Sequence, residues 1–231
     1  MSITRRYQDY QAVNVGTVTL SQVMGVLSFM FLAMAAGAFL VPPQYFLPAV
    51  IIEFALLFII PAVNRVDVAH ERVPATGLSG ALALLFAACS GAVLGPVIQS
   101  LATTQAGINV LAQAALVSFS VFAAFGAYGV LTKCNLNVMA RVLFIALLIL
   151  LGIMLVSIFF SRFFSPFGLL IGISGAVLFS LMTALDFQRA KYAGADSAVL
   201  VALAIFLDFV NLFTFVLDIF LMFSGGSLRK R

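Results

Sequence analysis

Four carboxylates stand where a long apolar chain has no evident use for them. Glu53 falls near the middle of one apolar run, Asp186 late in another, and Asp208 and Asp218 inside the last. An ionisable side chain in the hydrocarbon of a bilayer costs roughly 2.5–3.5 kcal/mol on insertion scales, so its first reading is functional. The bland alternative is a protonated acid tolerated on a neighbour's hydrogen bond. For Glu53 both readings stay open; for the aspartates, spacing favours function. At 100° per residue, Asn211, Asp218 and Thr214 fall about 60°, 80° and 120° to one side of Asp208. Four polar groups thus share one face of a helix otherwise built of Leu, Phe, Val and Ile. Lipid satisfies no hydrogen bond, so that stripe must face protein or water along an internal path.

Asp186 and Asp208 flank a hairpin centred near Gly194, about 7 Å and 18 Å from the turn at 1.5 Å per residue. Helix tilt or an unwound start to the last helix would let them meet. Two carboxylates in contact in a poorly solvated site cannot both ionise, so they share a proton and titrate as a pair. Such a pair is a pH sensor and a candidate cation site. Calcium prefers about six to eight oxygens, so waters or backbone carbonyls would have to complete a site on Asp186 and Asp208.

The elements that must position these groups are membrane helices. The 231 residues are 64% apolar and 9% charged, against about 45–50% and about 25% in an ordinary soluble domain. Mean hydropathy is +1.20. Twenty charged side chains, 12 basic and 8 acidic, cannot cover a soluble surface, which excludes a soluble enzyme. Disorder is excluded too, because it requires low hydrophobicity. No basic patch with interleaved aromatics suggests nucleic acid. Cys89 and Cys134 make no disulfide framework.

A span of the bilayer core takes about 20 apolar residues. Seven stretches qualify: 17–41, 45–63, 78–101, 108–131, 138–161, 167–190 and 196–224. Pro42-Pro43, Thr132 to Asn135, Ser165-Pro166 and Ala193 to Asp196 punctuate them, and the longest polar segment runs from Asn64 to Thr76. No loop has room for a soluble domain, so residues 1–231 are expected to form one all-α membrane domain of seven transmembrane helices. The first run is too long for a signal-peptide core and is expected to be a span. Glycines at four-residue spacing, Gly91/Gly95 and Gly168/Gly172, point to close helix packing.

With the N-terminus inside, Arg5, Arg6, Arg65, Arg72, Lys133, Arg141, Arg189 and Lys191 are all cytoplasmic, and only Arg162 lies in an outer loop. The tail Arg229-Lys230-Arg231 conflicts with this count, because seven spans put it outside. A re-entrant last segment would satisfy the charge rule, whereas the length of 196–224 suffices to cross.

Three stretches resemble the Bax inhibitor-1 family, also called the transmembrane Bax inhibitor motif or Lifeguard family. Gly91-Ala92-Val93-Leu94-Gly95-Pro96-Val97-Ile98 is similar to its glycine–proline signature. Leu131-Thr132-Lys133 with Asn135-Leu136 resembles its loop after the fourth span. Leu185-Asp186-Phe187-Gln188, with Phe206-Leu207-Asp208-Phe209-Val210-Asn211-Leu212-Phe213, resembles its paired-aspartate ending and is the most specific. The resemblance implies six helices surrounding a central seventh. It also implies a cation leak, chiefly for calcium, gated by pH through Asp186 and Asp208. Glu53 would be the family's second-span acid, and Arg65 is the nearest candidate for an arginine that latches the aspartates. Seven full spans are implied as well. Asp218 stands where many members carry Arg, and Ser118 and Phe119 stand where the family usually has Thr and a smaller residue. The short N-terminal arm points to a bacterial inner membrane.

The leading expectation is a pH-sensitive, calcium-permeable leak using Asp186, Asp208, Glu53, Asn211 and Asp218, with the bilayer and calcium ions as partners and no cofactor or enzymatic activity. A second class is a non-conducting adaptor that restrains membrane proteases or stress and death-pathway proteins. An intramembrane aspartyl protease is a distant third, because Ile205-Phe206-Leu207 replaces the Gly-x-Gly expected before its second Asp. His70 reads as a solvated loop residue rather than a ligand. Tyr7, Tyr10, Tyr45 and Tyr192 sit near span ends as interfacial anchors do.

Overall fold

The computed structural model describes residues 3–69, 77–194 and 197–228, and among them every regular element is helical. In chain order these are α1 (Ile3–Leu40), α2 (Phe46–Ala69), α3 (Leu78–Leu101), α4 (Gln105–Leu131), α5 (Asn137–Phe159), the single turn α6 (Ser161–Phe164), α7 (Gly168–Tyr192) and α8 (Ala198–Leu228). Seven are long and apolar enough to cross a bilayer, over Leu20–Leu40, Pro43–Arg65, Leu78–Leu101, Gln105–Leu131, Asn137–Ser157, Gly168–Tyr192 and Ala198–Ser224. The seven expected spans are all present.

Local chemistry sets the breaks. Pro42, with φ −64° and ψ 147°, has no amide proton and stops α1; its carbonyl accepts from the Tyr45 amide at 3.0 Å. Thr104 caps α4, its Oγ1 accepting from the Gly107 amide at 3.1 Å. Between α4 and α5, Thr132 Oγ1 accepts from the Cys134 amide and Asn135 Oδ1 from the Asn137 amide, closing two tight side-chain turns.

Boundaries differ from expectation in three places. Helix α1 continues outward to Ile3, well beyond its apolar window. Helix α2 runs on to Ala69, so Asn64 is a buried helical residue rather than the start of a loop. The fifth span stops at Phe159, because Phe160 leaves the helix at φ −117° and ψ 43°.

The re-entrant alternative is settled by the last helix. Helix α8 is unbroken for 31 residues, about 46 Å at 1.5 Å per residue, and has no turn at which a re-entrant segment could go back. It is also the most buried span: 56% of its window is buried, against 11% for α5 and 17% for α2. His70, Glu71, Arg72, Asp196 and the tail Arg229–Arg231 lie outside the described residues, as do the side chains of Arg5, Arg6, Tyr7 and Tyr10.

The chain divides into two compact units. Unit 1 holds residues 1–100 with 189–206, and unit 2 holds 101–188 with 207–231. In unit 1, α1 and α3 meet backbone to backbone. Gly37 lies against the Ala88 carbonyl, Gly91 against Met34 and Gly95 against Ala38, and Gln99 Nε2 donates to the Ala38 carbonyl at 2.7 Å. Ala49 of α2 packs on Cys89 and Ala92 of α3 beside that seam. In unit 2, α4 buries one stripe at three- and four-residue spacing: Gly107, Val110, Ala114, Ser118, Phe122, Gly126 and Gly129. Gly168 and Gly172 of α7 meet the side chains of Met222 and Ile219 of α8.

Candidate functional site

Unit 2 carries both Asp186 and Asp208. Asp186 is 5% exposed on α7 and Asp208 is 2% exposed on α8. Helix α7 is buried on every side at this point, since Thr183 through Gln188 are six consecutive buried residues. A helix apolar on one stripe would show exposed positions within that stretch.

The frame around Asp186 is built by α4 and the loop that follows it. Two residues before the acid, the Ala184 backbone lies against Gly129; a Cβ at that glycine would come within 2.9 Å of the Ala184 carbonyl carbon. One residue after it, the Phe187 ring packs edge-on against Phe122 at 5.4 Å and fills the space beside Gly126. Two residues after it, Gln188 donates from Nε2 to the Cys134 carbonyl at 2.7 Å, and its Oε1 accepts from the Leu136 amide at 2.8 Å. Asp208 shares part of this frame, because its neighbour Phe209 meets the same Phe122 ring at 5.1 Å. The chain neighbours of the two acids therefore converge on one aromatic side chain. Ser118, one turn before Phe122, is fully buried, and among the described residues its hydroxyl has no hydrogen-bond partner.

The polar stripe of α8 is graded rather than uniform. Asn211 donates to the Leu207 carbonyl and Thr214 to the Val210 carbonyl, each at 2.8 Å, so both spend a donor within their own helix. Both are half-buried, but Asp218 is exposed. The wheel that grouped the four residues assumed a helix covered equally along its length. Cover over α8 falls off toward its C-terminal end, where Met222 and Phe223 are exposed as well.

Glu53 belongs to a separate arrangement in unit 1. It is half-buried on α2, and the Ser90 hydroxyl of α3 donates to its Oε1. Ser90 itself is buried, and the preceding residue, Cys89, lies within electrostatic reach of the Glu53 carboxylate. The backbone seam between α1 and α3 fixes the rotation of α3 that presents Ser90. Arg65 is exposed three turns further along α2. Among the described residues no cluster of three or more His, Cys, Asp or Glu could hold a metal.

Sequence reasoning missed Ser90, Phe122 and the glycines Gly126 and Gly129. It met Gln188 only as part of a resembling stretch. Ser90 had a signal, a hydroxyl directly before the glycine–proline stretch. Phe122 had none, being one of 24 phenylalanines.

The model of a family described as "Inhibitor of apoptosis-promoting Bax1" matches residues 16–225. The chain belongs to this family. That match covers both acid sites and all seven spans. An uncharacterised protein of Campylobacter jejuni is 33% identical over 140 residues, 61% of this chain and 60% of its own. An uncharacterised membrane protein of Streptococcus pyogenes is 30% identical over 186 residues, 77% of this chain and 75% of its own. An uncharacterised protein of Neisseria meningitidis is 28% identical over 226 residues, 94% and 96%. For the Campylobacter and Helicobacter pylori relatives the match spans only 60% and 63% of their length. This is a multi-pass, all-α membrane protein of the Bax inhibitor family.

Proposed function

We propose that the chain is a pH-sensitive, calcium-permeable leak in which Asp186 and Asp208 share a proton and gate the path. The carrying observation is the burial of both carboxylates in unit 2, at 5% and 2% exposure, with their neighbouring rings on Phe122. Two ionised carboxylates in such surroundings repel each other and lose water, so a shared proton or a bound cation stabilises the pair. Protonation and cation occupancy then compete for the same oxygens, which links conduction to pH without any resident cofactor. Calcium is the transported ion and would complete its oxygen shell with water and backbone carbonyls. Asn211 continues the polar surface beyond Asp208, and Glu53 with Ser90 offers a third carboxylate, in unit 1. In this reading Asp218 lies at the more exposed end of the path, and Arg65 is the candidate latch.

The Lys and Arg distribution supports a cytoplasmic N-terminus, and the bacterial relatives, one of them described as a membrane protein, support a bacterial inner (plasma) membrane. A second reading, a non-conducting adaptor that restrains proteases or death-pathway proteins, draws on the family's description. Calcium flux into liposomes holding the purified protein separates the two. The leak predicts flux that titrates with pH in the wild type and loses that titration in both Asp186→Asn and Asp208→Asn. No flux above empty liposomes at any pH would remove the channel and leave the adaptor.

A further inference from the structure

Gln188 is a buried amide with both ends committed to one loop. It spans 52 and 54 residues of sequence to reach the Leu136 amide and the Cys134 carbonyl. It also stands two residues from Asp186, about 3 Å along the same helix. Intervening helical hydrogen bonds make Asp186, Phe187 and Gln188 move as one rigid segment. The contact of Gly129 with Ala184 and that of Phe122 with Phe187 hold the other sides of that segment to α4. A shift or rotation of α7 at Asp186 must therefore either break the Gln188 bonds or carry the loop along.

The loop has room to follow. Leu136 borders an apolar cavity of about 110 Å³ whose other walls include Tyr128 of α4, Met139 and Leu143 of α5, and Ala184 and Leu185 of α7. Leu185 is the residue immediately before Asp186. The backbone pinned by Gln188 and the side chain facing the void thus belong to the same residue, Leu136.

We propose that Gln188 is a positioning residue for the aspartate site. It couples the Thr132–Leu136 loop, whose residues 133–135 are exposed, to Asp186, so that a displacement at either end is felt at the other. The inference rests on reading Asp186 as a member of the gating pair.

Cys134 is an exposed thiol in the pinned loop and Cys89 is buried, so a Cys89→Ala background leaves Cys134 the sole thiol of the chain. The experiment measures its reaction rate with a charged maleimide, using the full-length protein in lipid nanodiscs. Gln188→Met removes both hydrogen bonds at similar size and should raise the rate about threefold or more, the scale set by losing bonds of this kind. Gln188→Glu keeps the acceptor for Leu136 and loses the donor to Cys134; it should fall between, and it carries the test should the first variant aggregate. Asp186→Asn should change the Cys134 rate by about twofold or more when Gln188 is present and leave it unchanged in the Gln188→Met background, the signature of a coupled pair. An unchanged rate in both Gln188 variants, or an Asp186→Asn effect that survives without Gln188, overturns the proposal. Labelling needs no ion flux, so a protein that conducts nothing but passes this test loses the channel and keeps the coupling. Normal pH-gated flux with an unresponsive Cys134 does the reverse.

Discussion

The two units hold their helices together by different means. In unit 1 the glycines of the α1–α3 seam meet backbone: Gly91 against Met34 and Ala38, Gly37 against Ala88, Gly95 against Ala38. In unit 2 most of these glycines meet side chains: Gly126 a Phe187 ring, Gly175 a Phe215 ring, Gly172 Ile219 and Gly168 the end of Met222, while Gly107 on Leu101 and Gly129 on Ala184 are backbone contacts. Backbone against backbone has no rotamer to change and cannot yield without parting the helices. A ring or a methionine tip can move by tenths of an ångström to a full rotamer. The α1–α3 seam of unit 1 is accordingly stiff and the α7–α8 contact of unit 2 adaptable, while two residues before Asp186, at Ala184 on Gly129, unit 2 also meets backbone. Glu53, held by the Ser90 hydroxyl, belongs to the stiff side of this contrast.

The same substitution placed in the stiff seam gives the largest effect. A Cβ at Gly91 would fall 2.8 Å from the Met34 carbonyl carbon and 2.9 Å from the Ala38 nitrogen. Gly91→Ala must push α1 off α3, at the upper end of the roughly 1–3 kcal/mol typical of overpacking. Because that seam orients Ser90, the variant should also lose the Glu53 contact. Thermal unfolding in detergent measures the first effect. Infrared difference spectra of the carboxyl stretch, assigned with Glu53→Gln, measure the second. A variant as stable as wild type would mean that the seam is not a backbone lock.

Much of this architecture was legible because membrane helices write themselves as unbroken apolar runs. Every span was visible, and so were the two deep aspartates, because an acid among Leu and Phe has no other place to hide. The glycine–proline stretch announced close packing, and Gly91 and Gly95 do pack closely. Partners across helices were not legible. Nothing in the run from Leu78 to Leu101 says that Ser90 turns toward Glu53, since that depends on how α1 rotates α3. Phe122 was invisible for a related reason: its role comes from where Phe187 and Phe209 arrive, not from its own surroundings in sequence. The exposure of Asp218 was missed because periodicity gives the angle around a helix axis and not the cover along it.

Polar groups sharpen the contrast at a smaller scale. Ser90 reaches across to another helix, while Thr214 donates to its own Val210 carbonyl. Removing a cross-helix donor leaves a half-buried carboxylate short of a partner, which costs about 1–3 kcal/mol. Ser90→Ala should show that loss, and Thr214→Val, which gives up only an intrahelical bond, should change stability by less than about 0.5 kcal/mol. Equal losses in parallel melting curves would show that the hydroxyl of α8 is itself engaged across helices.

The smallest effect is expected where the α7–α8 contact is softest. A Cβ at Gly168 would lie 2.8 Å from Met222 Cε, a milder approach than at Gly91, where the Met34 carbonyl oxygen is nearer still. The atom in the way is the free end of a three-torsion side chain that is itself exposed, so it swings aside at little cost. Replacing glycine at a helical position also gains up to about 1 kcal/mol of propensity, less at this first residue of α7. Gly168→Ala should therefore stay within about 1 kcal/mol of wild type, against the several-fold larger loss for Gly91→Ala. The two alanines contrast a close approach to fixed backbone with an approach to a mobile side-chain tip. Comparable destabilisation by both would erase the distinction between a stiff α1–α3 seam and an adaptable α7–α8 contact.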